Sequence, residues 1–401
     1  MPRNYRLPMR LAAPALVLAL MLAACVAPGA GNWRGTGDLG VVVERAAGSI
    51  QIVETSGDTI LAGVGGLGDL SHASVVFSRD ARFAFVFGRD GGLSKVDLLT
   101  HCLVKRIVQA GNAIGGAISA DGRVIAVANY EPGGVRLFAA DSLEPLAEIP
   151  ATYGGAKALS KVVGLVDAPG NRFVFSLYDA GEIWVADATD PRAPTLRKFG
   201  KVGRLPYDGM ITPDGRYYLA GLFGEDGVAL LDLWALDAGV RRILDGYGRG
   251  EEPLPVYKMP HFEGWAAAGN YLFLPAVGRH ELLVVEKDSW REVARIKLQG
   301  QPVFAVTNPD GRQVWVNFAH PENGVVQVVD VATLKVVRDL TPGRAVLHIE
   351  FTPRGDQAWV SARDDDRVLV YDTRDFSVRA TLPADKPSGI FFTARAARIG
   401  Q

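Results

Sequence analysis

Short apolar runs of five or six residues recur along the whole chain, each followed by a tight polar turn. From 71 to 97 the unit reads SHASVVFSRDARFAFVFGRDGGLSKVD. A histidine precedes an apolar strand, and a Ser-x-Asp-x-Arg turn leads to a second apolar strand. A polar Gly-Arg-Asp loop then leads to a third strand ending at Asp97. The turn returns as SADGR (119–123), DAPGNR (167–172), TPDGR (212–216), AAGNY (267–271), NPDGR (308–312) and TPRGD (352–356). Apolar stretches such as VIAVAN, FVFSLY, YLFLP and VWVNF follow these turns, and each copy closes on an acidic residue, as in IWVAD, LLVVE and VLVYD. Four short strands repeating every roughly 40–50 residues are the pattern of a β-propeller. Gly in the turns supplies φ > 0, and Asp or Asn bonds its own backbone.

Seven copies are complete and an eighth is split between the chain ends. SGIFFTARAAR (388–398) reads as its first strands and GDLGVVVERAAGSIQIVE (37–54) as its last two. Pairing them in one blade closes the ring and leaves no open sheet edge. The expectation is an all-β, eight-bladed propeller. Each inner strand then runs down the channel from the top face, which sends every Asp-Gly-Arg turn to the bottom. The loops leading into the inner strands, and those between second and third strands, gather at the top. The first set carries His72, Asn112, Lys161, Tyr207, Asp208, His261 and His348. The second carries Arg89, Asp90, Asn129, Tyr130, Glu131, Tyr178, Asp179, Glu225, Asp226, His280, His320, Arg363 and Asp364. A large planar ligand across the channel mouth would meet many of these together.

Composition adds limits. The 401 residues are 48% hydrophobic, enough for a large core, and the repeats make 37–401 one domain despite the length. A net charge of −1 gives no electrostatic case for nucleic acid. Residues 1–24 read as a signal peptide, with Arg3, Arg6 and Arg10 ahead of an apolar stretch too short to span a bilayer comfortably. Leu22-Ala23-Ala24-Cys25 resembles the bacterial lipobox, which makes Cys25 a lipidated mature N-terminus and 25–36 a tether. An ordinary cleaved leader is the alternative. With Val26 next, the resemblance implies the periplasmic side of the outer membrane. Lipidation of Cys25 leaves Cys102 alone, with no disulfide in the mature chain. No Cys-x-x-Cys-His, zinc-type cluster, nucleophile elbow or nucleotide-binding loop is present.

HASVVFSRDARFAFVFGRDGGLSKVDL resembles the first haem-binding blade of the d1-haem domain of cytochrome cd1 nitrite reductases, and the blade count agrees. NYEPGGV (129–135), SKVVGLVDAPGNRFVFSLYDAGEIWVAD (160–187) and ITPDGRYYLAGLFGEDGV (211–228) are closer still to the haem d1 biosynthesis branch of that family, which lacks a cytochrome c domain. The resemblance spans about residue 37 to the C-terminus. It implies that His72 is the proximal ligand to the iron of a d1-type haem or its late precursor, and that Arg89 contacts the macrocycle or its carboxylates. Lys161, His261 and Asn112 complete the expected ligand-binding set. On the distal side the reductases place histidines where this chain has Tyr178-Asp179 and Tyr207-Asp208. That departure, with no attached c-type haem, argues against nitrite reduction and makes these four the expected acid, base or hydrogen-bonding residues.

Three functions follow as alternatives. The protein acts in periplasmic haem d1 biosynthesis during denitrification, binding a late d1-type tetrapyrrole through His72 and modifying a side chain or presenting it to partners, or it is a non-catalytic lipid-anchored carrier of haem d1 or its precursor, or it is a ligand-free scaffold. The partners implied are the tetrapyrrole, other haem d1 biosynthesis proteins, the d1 nitrite reductase, a periplasmic electron-transfer protein for any oxidative step, and the membrane.

Overall fold

The structure is a computed structural model and describes residues 34–155, 158–248, 250 and 264–400. Its strands form eight four-stranded antiparallel sheets. Blades 1 to 7 are consecutive in the chain and span 73–108, 112–149, 162–199, 206–243, 266–297, 302–340 and 346–383. In the closing blade 8 the C-terminal strand Pro387–Phe392 is innermost, followed outward by Leu39–Glu44, Ser49–Glu54 and Thr59–Val64. Gly40, Val41 and Val42 pair with Phe392, Phe391 and Ile390 to join the two ends. The propeller expectation holds, with one correction to the closing blade. The C-terminal end supplies one strand and a short 3-10 helix (Thr393–Ala397), and the N-terminal end supplies three strands rather than two. Thr59–Val64 escaped notice because it is an outermost strand with a mostly solvent-facing pattern.

That gradient repeats in each blade. In blade 1 the inner strand Ala73–Phe77 is wholly buried, whereas the outermost Cys102–Val108 is not. Neighbouring blades pack through the faces of their middle strands, where Trp184, Trp315 and Trp359 are fully buried. The bottom turns are fastened from within. Ser78 Oγ donates to Asp80 Oδ1 at 2.5 Å and accepts the Phe83 N–H at 2.9 Å. Arg82 then reaches Asp97 at 2.7 Å, and Arg216 reaches Asp232 at 2.8 Å. In other blades the turn arginine closes its own turn instead, as Arg123 does on Asp121.

The C-terminal segment crosses beneath the channel. Arg79 of blade 1 donates to the Ala396 carbonyl at 2.9 Å and to Asp167 of blade 3 at 2.9 Å, and Asp167 also accepts the Gly400 N–H at 2.9 Å. The C-terminal segment is therefore held against blades 1 and 3 below the ring. Cys102 is disulfide-bonded, which corrects the expectation that it stands alone. The only other cysteine of the chain, Cys25, lies outside the described residues, as do the leader and residues 25–33 of the tether.

Candidate functional site

His72 ends the loop that crosses from blade 8 to blade 1, and the residue is 3% exposed. The loop is fixed at several points. Leu67 and Leu70 are buried beneath it. Gly68 has φ +80°, and a Cβ there would collide with Asp90 and Arg106, which pair with each other at 2.5 Å. Asp69 Oδ1 accepts the Ser71 N–H at 2.8 Å, while its carbonyl accepts the Arg89 N–H at 2.8 Å. Burial opposes ionisation of Asp69, but the Ser71 hydrogen bonds and the charges of Arg89 and Arg45 hold its carboxyl below the usual value. Arg45 Nη2 donates to the Ser71 carbonyl at 2.5 Å. A histidine on a loop tied down this firmly is pre-placed rather than searching.

The predicted distal tyrosines meet between blades 3 and 4. Tyr178 and Tyr207 contact edge to face, with centroids 5.6 Å apart, and Phe223 lies 5.2 Å from Tyr207 and 6.4 Å from Tyr178. Tyr130 from blade 2 brings its hydroxyl to 3.4 Å from that of Tyr207. Burial raises the Tyr178 pKa, Asp179 raises it further and Lys161 opposes, so the phenol keeps its proton at neutral pH. It is suited to donate rather than to abstract a proton.

Lys161, expected in the ligand-binding set, is paired with the acidic residue of the next loop. Its Nζ lies 3.3 Å from Asp179 Oδ1 and 5.5 Å from the Tyr178 ring centroid, and its N–H donates to Asp179 Oδ2 at 2.9 Å. Part of its charge is already engaged. Asn112 opens the inner strand of blade 2, half-buried at the same face. Arg89 is exposed on the returning loop of blade 1. His261 and the side chain of Asp208 lie outside what the structure describes.

His348 is a second correction. It was expected at the rim, but it sits inside the inner strand Val346–Phe351, where its Nδ1 accepts the Ile390 N–H at 3.1 Å and its ring packs on Phe391. Burial, aided by nearby Arg395, pushes its pKa down to about 3. The folded state thus takes up a proton only far below pH 6.5, where the unfolded chain already binds one. Stability is unaffected above that pH and falls as pH drops from about 6.5 toward 3. Between pH 7.5 and 5 the wild type should lose about 2 kcal/mol more than His348→Asn, measured by urea unfolding at both pH values. Asn129, also expected at the top loops, is wholly buried in its strand, where its Oδ1 accepts from Gln109 Nε2 at 2.8 Å.

Two rim residues escaped the site prediction: Arg45, on blade 8, and Phe223, which carries no sequence signal beyond being an aromatic after an apolar strand. Arg363, expected on a returning loop, stands between the second and third strands of blade 7. The neighbouring acidic residues are engaged: Asp364 with Arg363, Asp365 with Arg344 and Asp366 with Lys386. Among the described residues no three His, Cys, Asp or Glu side chains group as a metal site. A single well-placed histidine would suit an iron whose remaining ligands come largely from a macrocycle.

The fold defines a class, an eight-bladed β-propeller closed by pairing of its two chain ends. The family model described as Cytochrome D1 heme domain matches residues 34–396. The chain is 58% identical over 368 residues to Protein NirF of Stutzerimonas stutzeri, covering 92% of this chain and 94% of that one. The figures for Protein NirF of Pseudomonas aeruginosa are the same. Among solved structures, dihydro-heme d1 dehydrogenase NirN in complex with DHE superposes with a TM-score of 0.78 at 25% identity, covering 92% of this chain and 78% of that one. The chain belongs to the cytochrome D1 heme domain family, and within it to the NirF proteins.

Proposed function

We propose that this protein binds a late d1-type iron tetrapyrrole across its top face and acts on it during haem d1 biosynthesis. The observation that carries this reading is the anchored His72 loop entering blade 1 together with the Tyr178–Tyr207 pair of blades 3 and 4, in a chain of the NirF family. The site fits such a ligand: an imidazole for the iron, Arg89 for a carboxylate, and phenol rings to lie along the macrocycle. The tetrapyrrole is here substrate or cargo, and its redox chemistry belongs to its own iron and ring.

The protein's own residues supply position and protons. Tyr178, kept protonated by burial, donates to a peripheral group of the ligand, and Asp179, oriented by the Lys161 N–H, takes a proton from one. Tyr207 holds Tyr178 in place through their ring contact. An oxidative step would draw on an external periplasmic redox partner. Cys25 is the proposed lipid anchor to the periplasmic side of the outer membrane; a thioether there would leave Cys102 as a thiol, unlike its state in this structure.

The test separates an enzyme from a carrier. Tyr178→Phe and Asp179→Asn should keep haem d1 binding within a few-fold yet lower cellular haem d1 output roughly a hundredfold, the usual scale for a lost general acid or base. Unchanged output with unchanged binding would favour the carrier reading.

A further inference from the structure

On the second strand of each blade, the first residue packed against the preceding blade is apolar almost everywhere. Blades 1, 2, 3, 5, 6 and 7 have Ala84, Ile125, Phe173, Leu272, Val314 and Ala358 there, each sharing a core with its neighbour. Blade 4 has Tyr218 instead, wholly buried against blade 3 and paired with Ile211 of its own inner strand. Its hydroxyl donates to the Gly164 carbonyl of blade 3 at 2.8 Å and lies 3.0 Å from Ser176 Oγ of the same blade. The phenol proton goes to the carbonyl, so the Ser176 hydroxyl donates to the phenol oxygen.

Gly164 and Leu165 stand opposite a single residue in the pairing of Val162–Ala168 with Arg172–Leu177, which makes them a β-bulge. Tyr207 and Asp208 are the matching bulge of blade 4, between the Pro206–Leu222 and Gly209–Ala220 pairs. The two bulges touch. A Cβ at Gly164, where φ is +58°, would stand 2.7 Å from the Tyr218 hydroxyl and 3.0 Å from the Gly209 nitrogen. A Cβ at Gly209 would stand 2.8 Å from the Tyr218 ring. These strands also carry the proposed chemistry. Tyr207 lies in one bulge, Tyr178 follows Ser176 by two residues, and Lys161 precedes Gly164 by three. One buried phenol thus ties the blade 3 residues of the site to Tyr207 of blade 4.

We infer that Tyr218 is a positioning residue. Its hydroxyl locks the bulges of blades 3 and 4 together and so sets the spacing of Tyr178 and Tyr207. The inference rests on the tetrapyrrole reading above and adds the device that holds its proton-handling wall in place.

The experiment uses the full-length chain labelled with fluorotyrosine, with the Tyr178 and Tyr207 signals assigned through Tyr178→Phe and Tyr207→Phe. Tyr218→Phe removes one hydroxyl and keeps the ring. It should shift or broaden the fluorine signals of Tyr178 and Tyr207 with no ligand present. Haem d1 affinity, read by visible absorbance, should stay within a few-fold, because the His72 loop enters blade 1, away from the clamp. Cellular haem d1 output should fall roughly ten- to a hundredfold, the scale on which a small misplacement of reacting groups acts. Ser176→Ala keeps the Gly164 bond and should move the same signals and output in the same direction by less. Thr373→Val is the control. It removes a buried hydroxyl bond of the same kind, from Thr373 Oγ1 to the Gly355 carbonyl at 2.6 Å in blade 7, and should leave the signals and the output unchanged. Unmoved signals in Tyr218→Phe, or an output loss no larger than that of Thr373→Val, would overturn the inference and leave the tetrapyrrole reading standing. If Tyr218→Phe does not fold, Ser176→Ala decides by the same two readouts. A wild type that binds no haem d1 would overturn the tetrapyrrole reading, while the fluorine signals still decide whether the clamp sets the spacing.

Discussion

His72→Ala is expected to abolish the histidine-ligated spectrum of bound haem d1 and to weaken binding by roughly a hundredfold or more, while the propeller stays folded. Loss of a supporting residue around a metal ligand already costs on the order of 10–100-fold, and loss of the ligand itself should cost at least the upper end. The fold should survive because His72 lies on the connection between blades 8 and 1, outside the strands that make the blades. Leu67 and Leu70 still anchor the loop, as do Asp69 through the Arg89 N–H and Arg45 through the Ser71 carbonyl. Removing the buried ring leaves a cavity worth about 1–3 kcal/mol, a shift of a few degrees in Tm for a chain this size. Imidazole added to the variant should occupy that cavity and restore the spectrum in part. In cells, haem d1 output should fall to background. A variant with unaltered spectrum would move the iron ligand elsewhere on the rim, and unaltered output would support a scaffold that needs no ligand.

The blade count was legible because each bottom turn is a local device. Ser78 with Asp80, or Thr212 with Asp214, closes within five residues, so a single sequence shows it. Arg45 was hidden by one strand. Counting 37–54 as the last two strands of the closing blade sends the turn at 45–48 to the bottom, away from His72. Once Thr59–Val64 is recognised as the outermost strand, the same turn lies at the top. His348 was misplaced for another reason. An inner strand is buried along its full length, so apolar pattern alone does not say where the mouth ends, and an irregular register between Val346 and Ile349 shifts that boundary. The Tyr130–Tyr207 contact joins residues 77 apart on non-adjacent blades. Ring geometry brings them together, and no local period encodes it.

The second large effect concerns the latch under the channel. Glu350 of blade 7 and Arg395 of the C-terminal helix form a forked pair at 2.8 and 2.5 Å, with side chains only 6% and 5% exposed. Arg395→Met alone is expected to destabilise the protein by about 3–5 kcal/mol, because it leaves the Glu350 carboxylate buried without its counter-charge. Glu350→Leu should cost a similar amount. The double variant should recover most of the loss, since an apolar pair of similar volume carries no desolvation cost. Denaturant unfolding of the four proteins measures this directly, and a near-additive cycle would mean the two charges act independently. The consequence should reach the top face. Phe391 packs between Arg395, 5.0 Å from its centroid, and His348, whose ring lies 5.2 Å away and accepts the Ile390 N–H. Loosening Arg395 therefore loosens Pro387–Phe392, the strand on which Leu39–Glu44 is hung. That second strand leads straight into the turn carrying Arg45, the residue holding Ser71 beside His72. Haem d1 affinity should fall in Arg395→Met and return in the double variant, although neither residue lies on the mouth. Stability that recovers without affinity would show that the ring closes independently of its ligand.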